Sequence, residues 1–364
     1  MIDELLQRNL PNIIEKFHIK DEANWNIARN KIKNIIQQEE YGSIFETNYS
    51  FRVETILEEQ DYNGNKNIYK ELKLILSLKK FDFEFPIKVV IPKNKENIPA
   101  FLYLSFYKEI PNKHIPVEEI CDNNFAVISF CYEDVTSDDD NFNDGLARYF
   151  CAEDNNDKVG KIAIWAFAAS VVMDYIQTID EIDKQNVAIV GLSRLGKTAL
   201  LAGALDDRFS YVISNESGQS GAALSRGKSG EKIKDIYNEF PYWFSKSYKK
   251  YIDNEDLQEF DQHFLLALIA PRKLYVASAE NDLWADPKSE FLSCVAVNPI
   301  YKLYNKEGIV YDDYPQVNQK LHKGNIGYHM RSGSHSLIRY DWNSFIEYIN
   351  KKIEQEDIKW KKKI

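Results

Sequence analysis

The stretch VAIVGLSRLGKTAL, Val187 to Leu200, is an apolar run that breaks at a glycine turn and restarts with helix-forming residues. Its letters support two chemistries. Ser193 can stand at a strand-to-helix elbow, its hydroxyl raised above a parallel sheet as a hydrolase nucleophile requires. Alternatively, Gly191 to Thr198 fits G-x-x-x-x-G-K-[ST], a loop whose backbone N–H groups cradle a nucleotide phosphate.

Reading outward from this stretch, strands and helices alternate. Phe85 to Ile91, Phe101 to Phe106 and Phe125 to Tyr132 are rich in strand formers, and FAVISFCY at 125–132 is so unbroken in apolar content that both its faces must be covered. Asn63-Gly64 marks a turn between two earlier strands, so the sheet opens with antiparallel pairing. Lys161 to Ile179 has the spacing of a helix that feeds the strand at 187–190. A second helix runs from Lys197 to Leu205, strands follow at Phe209 to Ser214 and Lys273 to Ala279, and helical patterns resume at Phe291 and Trp342. This alternation predicts an α/β fold, a mostly parallel sheet with helices on both faces. Residues 1–50, with Trp25, Ala28, Ile32, Ile35 and Ile36 at helical spacing, form a helical prelude packed on the main domain. Residues 51–364 then make one domain with an insertion around 218–260.

The surroundings discriminate between the two chemistries. A phosphate loop normally follows the first strand of its domain and needs a magnesium-holding carboxylate after another apolar strand. Here several strands come first, and Glu280 or Asp282 is the best carboxylate on offer. An elbow needs an acid and then a histidine downstream, from loops at the same end of the sheet. His335, in the polar loop RSGSHS, supplies the base, and Glu216 and Asp282 are candidates for the acid. His329 is the rival base, six residues earlier. His263 heads an apolar helix and reads as structural, and His18, His114 and His322 have no partners in view. Without paired ligands at metal spacing, neither a metal nor a cofactor is expected. The aspartates between Asp134 and Asp144 could hold calcium, yet they lack the spacing of an EF-hand, and a solvated loop is the favoured reading.

The composition of the 364 residues, 44% apolar and 13% aromatic, is that of a globular protein. A formal charge of -10 argues against nucleic-acid binding, which depends on neutralised phosphates. Cys121, Cys131, Cys151 and Cys294 form no C-x-x-C pair and read as buried free thiols in a reducing compartment. The first residues show no secretion signal, and no run reaches the roughly 20 apolar residues of a membrane span. Cytoplasmic residence is the expectation, with no membrane partner.

With GLSRLGK at 191–197 and NESGQSGAAL at 215–224, the sequence resembles the glucuronoyl esterases of carbohydrate esterase family 15 and their bacterial relatives. The likeness runs from about residue 85 to 350 and takes in PYWFSKSY at 241–248, ENDLWADP at 280–287 and the late histidine before Asp341-Trp342. It implies an α/β-hydrolase fold and cleavage of an ester on the carboxyl group of a glucuronic acid. It also implies Ser193 as nucleophile, Glu216 as acid and His335 as base. Arg194 would stabilise the oxyanion, Lys197 would touch sugar hydroxyls, Trp284 would lie against the sugar and Glu231 would line the same pocket. Some relatives place the acid after the later strand, which keeps Asp282 as the alternative.

Two departures bear on substrate. Leu192 stands where the best-known members carry cysteine, so a disulfide cannot form there. The missing leader favours a small imported uronate or acyl ester, acetyl esters included, over polymeric cell-wall material. The expectation is a serine carboxylic-ester hydrolase working through an acyl-enzyme on a small carbohydrate or uronate ester. Against it stand a nucleotide hydrolase using 191–198 and a hydrolase-like protein that binds carbohydrate without turnover.

Overall fold

The computed structural model describes residues 2–44, 48–79, 81–150 and 159–361; Cys151 lies outside them. Val187 to Val190 fall in the centre of β6 (Ile182–Leu192), and alternate residues of this strand enter opposite cores. Ile189 packs with Ile164, Val172 and Leu200 on one face, and Ala188 and Val190 pack with Trp342 and Phe345 on the other. A strand covered on both faces has no solvent side to make polar, which is why its sequence is an apolar run.

The sheet has the strand order β1-β2-β3-β5-β4-β6-β7-β8-β10-β9, where β9 is the short edge strand Lys320–Leu321, antiparallel to β10. β1 (Ser50–Asp61), β2 (Asn67–Ser77) and β3 (Asp82–Pro92) form an antiparallel opening, joined at the Asn63-Gly64 turn and passed to β5 by an antiparallel pairing. β5 (Ala126–Cys131), β4 (Ile98–Ser105), β6, β7 (Tyr211–Asn215), β8 (Lys273–Ala279) and β10 (Ile326–Arg331) are parallel. The helices Lys161–Ile176 and Arg194–Leu205 cover one face, and the carboxy-terminal helix Arg339–Lys361 contributes Trp342, Phe345 and Ile349 to the other.

Three details differ from the sequence reading. The helix after the elbow begins at Arg194, three residues before Lys197, because Ser193 itself is its cap position. β10 escaped notice although Ile326, Tyr328 and Met330 alternate with Gly327, His329 and Arg331, the period of a strand. The helix read as Lys161 to Ile179 ends at Ile176. Residues 218–260 are folded. They carry the helix Ile233–Glu239 and close on buried Trp243, Phe244, Tyr248, Tyr251 and Phe260.

At the amino terminus, the helices Ile2–Gln7, Ile13–Lys16 and Glu22–Ile36 bury Ile13, Trp25, Ala28, Ile32 and Ile36 in the same core as the sheet. His263, which opens the helix Gln262–Ala267, is only 3% exposed and donates from Nε2 to Pro11 O at 3.1 Å. Burial lowers its pKa from 6.5 to about 4. The folded state therefore binds fewer protons than the unfolded chain, and the stability this neutral ring contributes is complete above pH 6.5 and lost as pH falls toward 4. His263→Gln, which keeps a donor without a titrating ring, is expected to flatten the fall in melting temperature across that window. Identical pH slopes for the two proteins would refute this account.

Candidate active site

The elbow closes because two glycines permit it. A Cβ on Gly191 would stand 2.1 Å from Leu195 O, and one on Gly196 would stand 3.0 Å from the Ser217 Cβ. Strand and helix therefore meet almost without a loop, and Ser193 is forced to φ 58° and ψ -125°, a strained conformation for a residue with a side chain. Its N–H donates to Asn215 O at 2.9 Å, which ties the elbow to the end of β7. Its hydroxyl makes no hydrogen bond among the described residues and faces a cavity of about 340 Å³ that it shares with His335. A larger cavity of about 400 Å³ lies among Leu5, Ile13 and Ile300, with no hydroxyl or thiol nucleophile in its lining.

The same closure removes the phosphate-loop reading. Lys197, 4% exposed, donates to Ser217 O at 2.5 Å, and Thr198 Oγ1 donates to Arg194 O at 3.0 Å. The two side chains that would reach phosphate and magnesium are thus bonded to backbone, and no cradle opens between Gly191 and Gly196.

His335 comes from the loop after β10, and its side chain is 42% exposed at the cavity rim. Its Nδ1 lies 2.6 Å from Asp282 Oδ2 and 3.3 Å from Glu216 Oε2, so both candidate acids reach the same nitrogen. They are not equivalent. Glu216, at the end of β7, accepts from Arg331 Nη2 at 2.6 Å and from the Ser336 N–H at 2.8 Å. Burial pushes its carboxyl up to about 9 against the pull of the Arg331 cation. Asp282, past the end of β8, is the nearer partner, and among the described residues its carboxylate accepts otherwise only from the Ala285 N–H at 3.3 Å. Each carboxylate can orient the imidazole with its Nδ1–H inward and Nε2 free to take a proton.

Behind this pair lies a buried network that sequence reasoning missed. Arg331 also donates to Asp341 at 3.1 Å, and Asp341 accepts from His329 Nε2 at 2.8 Å. His329 is fully buried in β10, its Nδ1 2.9 Å from the Tyr275 hydroxyl, which also meets His322 Nε2 at 2.8 Å. The rival base is thus held within the sheet, away from the cavity. The sequence reading assigned no bond to Arg331 or Asp341, because the turn that brings strand and helix together, and the approach of Glu216 from 115 residues away, are set by the tertiary fold.

Arg194 lines the cavity, pairs with Asp138 and lies 4.6 Å from the centre of the Trp243 ring. Its Nε is buried without a partner among the described residues, an unspent donor beside Ser193. Trp284, 57% exposed, donates from Nε1 to Glu231 Oε1 at 3.2 Å, and both line the cavity with Lys197. Burial raises the Glu231 carboxyl and lowers the Lys197 ammonium, and each group's charge offsets part of the other's shift.

Asp138 belongs to the aspartate-rich segment, whose acids are exposed or half-buried and whose backbone a buried lysine ties down. Lys161 Nζ, fully buried, donates to Ser137 O at 2.6 Å and to Asn141 O at 2.8 Å, with Asp139 3.4 Å away. An ammonium thus occupies the oxygen-lined position a cation would take, and only Asp139 and Asp140 of the five aspartates stay exposed. Among the described residues, the group with metal-ligand spacing is Glu216, Asp282 and His335, within 4.8 Å of one another. There Nδ1 is engaged by Asp282, and the Arg331 cation beside Glu216 opposes a second positive charge.

The family profile described as glucuronyl esterase, fungi, matches residues 77–305. A glucuronoyl esterase structure from Solibacter usitatus superposes with TM-score 0.86 at 31% identity, covering 94% of this chain and 97% of that one. A promiscuous CE15 esterase from a marine bacterial metagenome gives TM-score 0.83 at 30% identity, with 91% and 93% covered. A carbohydrate esterase of an unknown prokaryotic organism is 36% identical over 298 residues, 79% of this chain and 65% of its own length. The 4-O-methyl-glucuronoyl methylesterase of Hypocrea jecorina is 30% identical over 176 residues, and the match spans 46% of this chain and 38% of that protein. The fold is accordingly the α/β hydrolase, with its antiparallel opening, that the motifs implied.

Proposed function

The chain belongs to the glucuronoyl esterase family, and from that membership and the geometry of the elbow we propose that it is a serine carboxylic-ester hydrolase acting on a uronic-acid ester or a related small carbohydrate ester. The observation that carries this reading is the His335 Nδ1–Asp282 contact of 2.6 Å in the cavity that Ser193 enters from its strained elbow. His335 Nε2 takes the Ser193 proton as the hydroxyl attacks the ester carbonyl. The oxyanion collects donors from Arg194, whose backbone N–H opens a helix and whose Nε is unspent. The alcohol leaves with the proton from His335, and water, activated by the same ring, hydrolyses the acyl-enzyme.

Lys197, Glu231 and Trp284 offer charged hydrogen-bonding groups and an aromatic face on the same side of Ser193, a set that suits a ring bearing hydroxyls. The relatives named as 4-O-methyl-glucuronoyl methylesterases support a uronate ester as the substrate class. The buried free thiols Cys121, Cys131 and Cys294 suit a reducing compartment, and we place the reaction in the cytoplasm.

A fluorophosphonate probe is expected to label Ser193, and the protein to release methanol from a methyl glucuronate ester. An unlabelled serine would instead favour a carbohydrate-binding protein without turnover. Arg194→Met should lower kcat about a hundredfold with a small change in KM, the cost typical of a lost oxyanion donor. A rise in KM alone would assign Arg194 to substrate binding.

A further inference from the structure

The family match begins at residue 77, and nothing in the elbow chemistry uses the helices before it. Yet that segment bonds, at two buried points, to residues behind the cavity wall. Arg8 Nη1 donates to Arg226 O at 2.7 Å and to Ser289 Oγ at 3.0 Å. Tyr41 Oη donates to Ser220 O at 2.5 Å. Ser220 and Arg226 lie inside the loop 217–231, which begins at Ser217 and Gly218 on the cavity wall and ends at Glu231.

Past Arg226 the loop is stitched to the one that carries Trp284. Lys228 Nζ donates to Ala285 O at 2.6 Å, the Ser229 N–H to Asp286 at 2.9 Å and the Glu231 N–H to Trp284 O at 2.8 Å. Ser289, the second acceptor for Arg8, donates to the same Asp286 carboxylate at 2.7 Å. One guanidinium therefore bonds the 217–231 loop and the first turn of the helix Pro287–Ala296, whose cap Asp286 ends the loop that carries Trp284. Gly227, at φ 65°, fits against it so closely that a Cβ there would stand 2.5 Å from Arg8 Cδ. The backbone of 217–231 lacks strand partners over most of its length, so its shape depends on such side-chain ties.

We propose that the amino-terminal segment braces the substrate pocket: Arg8 and Tyr41 are positioning residues that hold the 217–231 loop, and through it Glu231 and Trp284, in the shape that takes the sugar ring. This rests on the uronate-ester reading above. Neither residue touches Ser193, His335 or their acids, so the brace acts on sugar binding and leaves the ester chemistry intact.

The test is a comparison of two substrates in the full chain. For Arg8→Met and, separately, the near-isosteric Tyr41→Phe, KM for a methyl glucuronate ester is expected to rise about five- to tenfold with kcat within about twofold. The kcat/KM for p-nitrophenyl acetate, which has no sugar, should stay within about twofold. Equal losses on both substrates would mean that the segment serves general stability, and an unchanged KM for the sugar ester would mean that the pocket keeps its shape unaided; either overturns the proposal. If Arg8→Met fails to fold, Tyr41→Phe alone decides. A wild-type protein that cleaves p-nitrophenyl acetate but leaves the uronate ester intact overturns the uronate reading itself, and the brace for a sugar acid with it.

Discussion

Ser193→Ala is expected to reduce kcat on an activated ester by about 10⁴-fold or more while leaving the melting temperature unchanged. The size follows from the role: without the nucleophile only binding and oxyanion contacts remain, and in serine hydrolases these retain a small fraction of the rate. The unchanged stability follows from the backbone. Ser193 sits at φ 58° because Gly191, Leu195 and Gly196 close the elbow around it, and alanine bears the same strain as serine there. The hydroxyl itself makes no hydrogen bond among the described residues, so its loss leaves no buried group unpaired. Turnover and thermal unfolding of the purified variant check both halves. Retained activity would sink the assignment of the nucleophile, and a large loss of stability would mean that the hydroxyl has a structural partner in solution.

The second large effect separates the two acids. Asp282→Asn is expected to lower kcat/KM about 10³- to 10⁴-fold, the cost of presenting the imidazole in the wrong tautomer and removing its counter-charge. Glu216→Gln should cost about tenfold or less. The asymmetry comes from what each carboxylate already holds. Glu216 is bonded to Arg331 and Ser336, burial pushes it up to about 9, and its contact with Nδ1 is the longer at 3.3 Å. Asp282 stands 2.6 Å from Nδ1 with little else to satisfy. We therefore propose that Glu216 shapes the loop of His335 through Ser336 and that Asp282 supplies the charge the imidazolium needs. Steady-state kinetics on one activated ester decide the order. A larger loss in Glu216→Gln than in Asp282→Asn would reverse the assignment.

Much of the fold was legible because its signals are local. An apolar run such as Val187 to Val190 means a strand covered on both faces, the Asn63-Gly64 turn means antiparallel pairing, and glycines at 191 and 196 mean that strand and helix close tightly. β10 was missed because its alternation is short and its polar members, His329 and Arg331, are buried among partners from other elements. The aspartate segment carries a feature its polar letters do not show: Lys161, from a helix some twenty residues away, donates to the carbonyls of Ser137 and Asn141 within it.

By itself, the sequence determined the family and the α/β-hydrolase fold and nominated candidate reactive side chains, because G-x-S-R-x-G-K and the later glutamate and histidine are matters of residue type and chain order. Tertiary structure alone decided how those side chains divide the work. That Asp282 stands nearer His335 than Glu216 does, that Asp138 takes Arg194, and that Arg8 and Tyr41 bond to the 217–231 loop behind the cavity all depend on contacts between residues 53 to 281 positions apart. Periodicity and spacing report only on neighbours along the chain, whereas hydrogen-bond partners are assigned by distance in space.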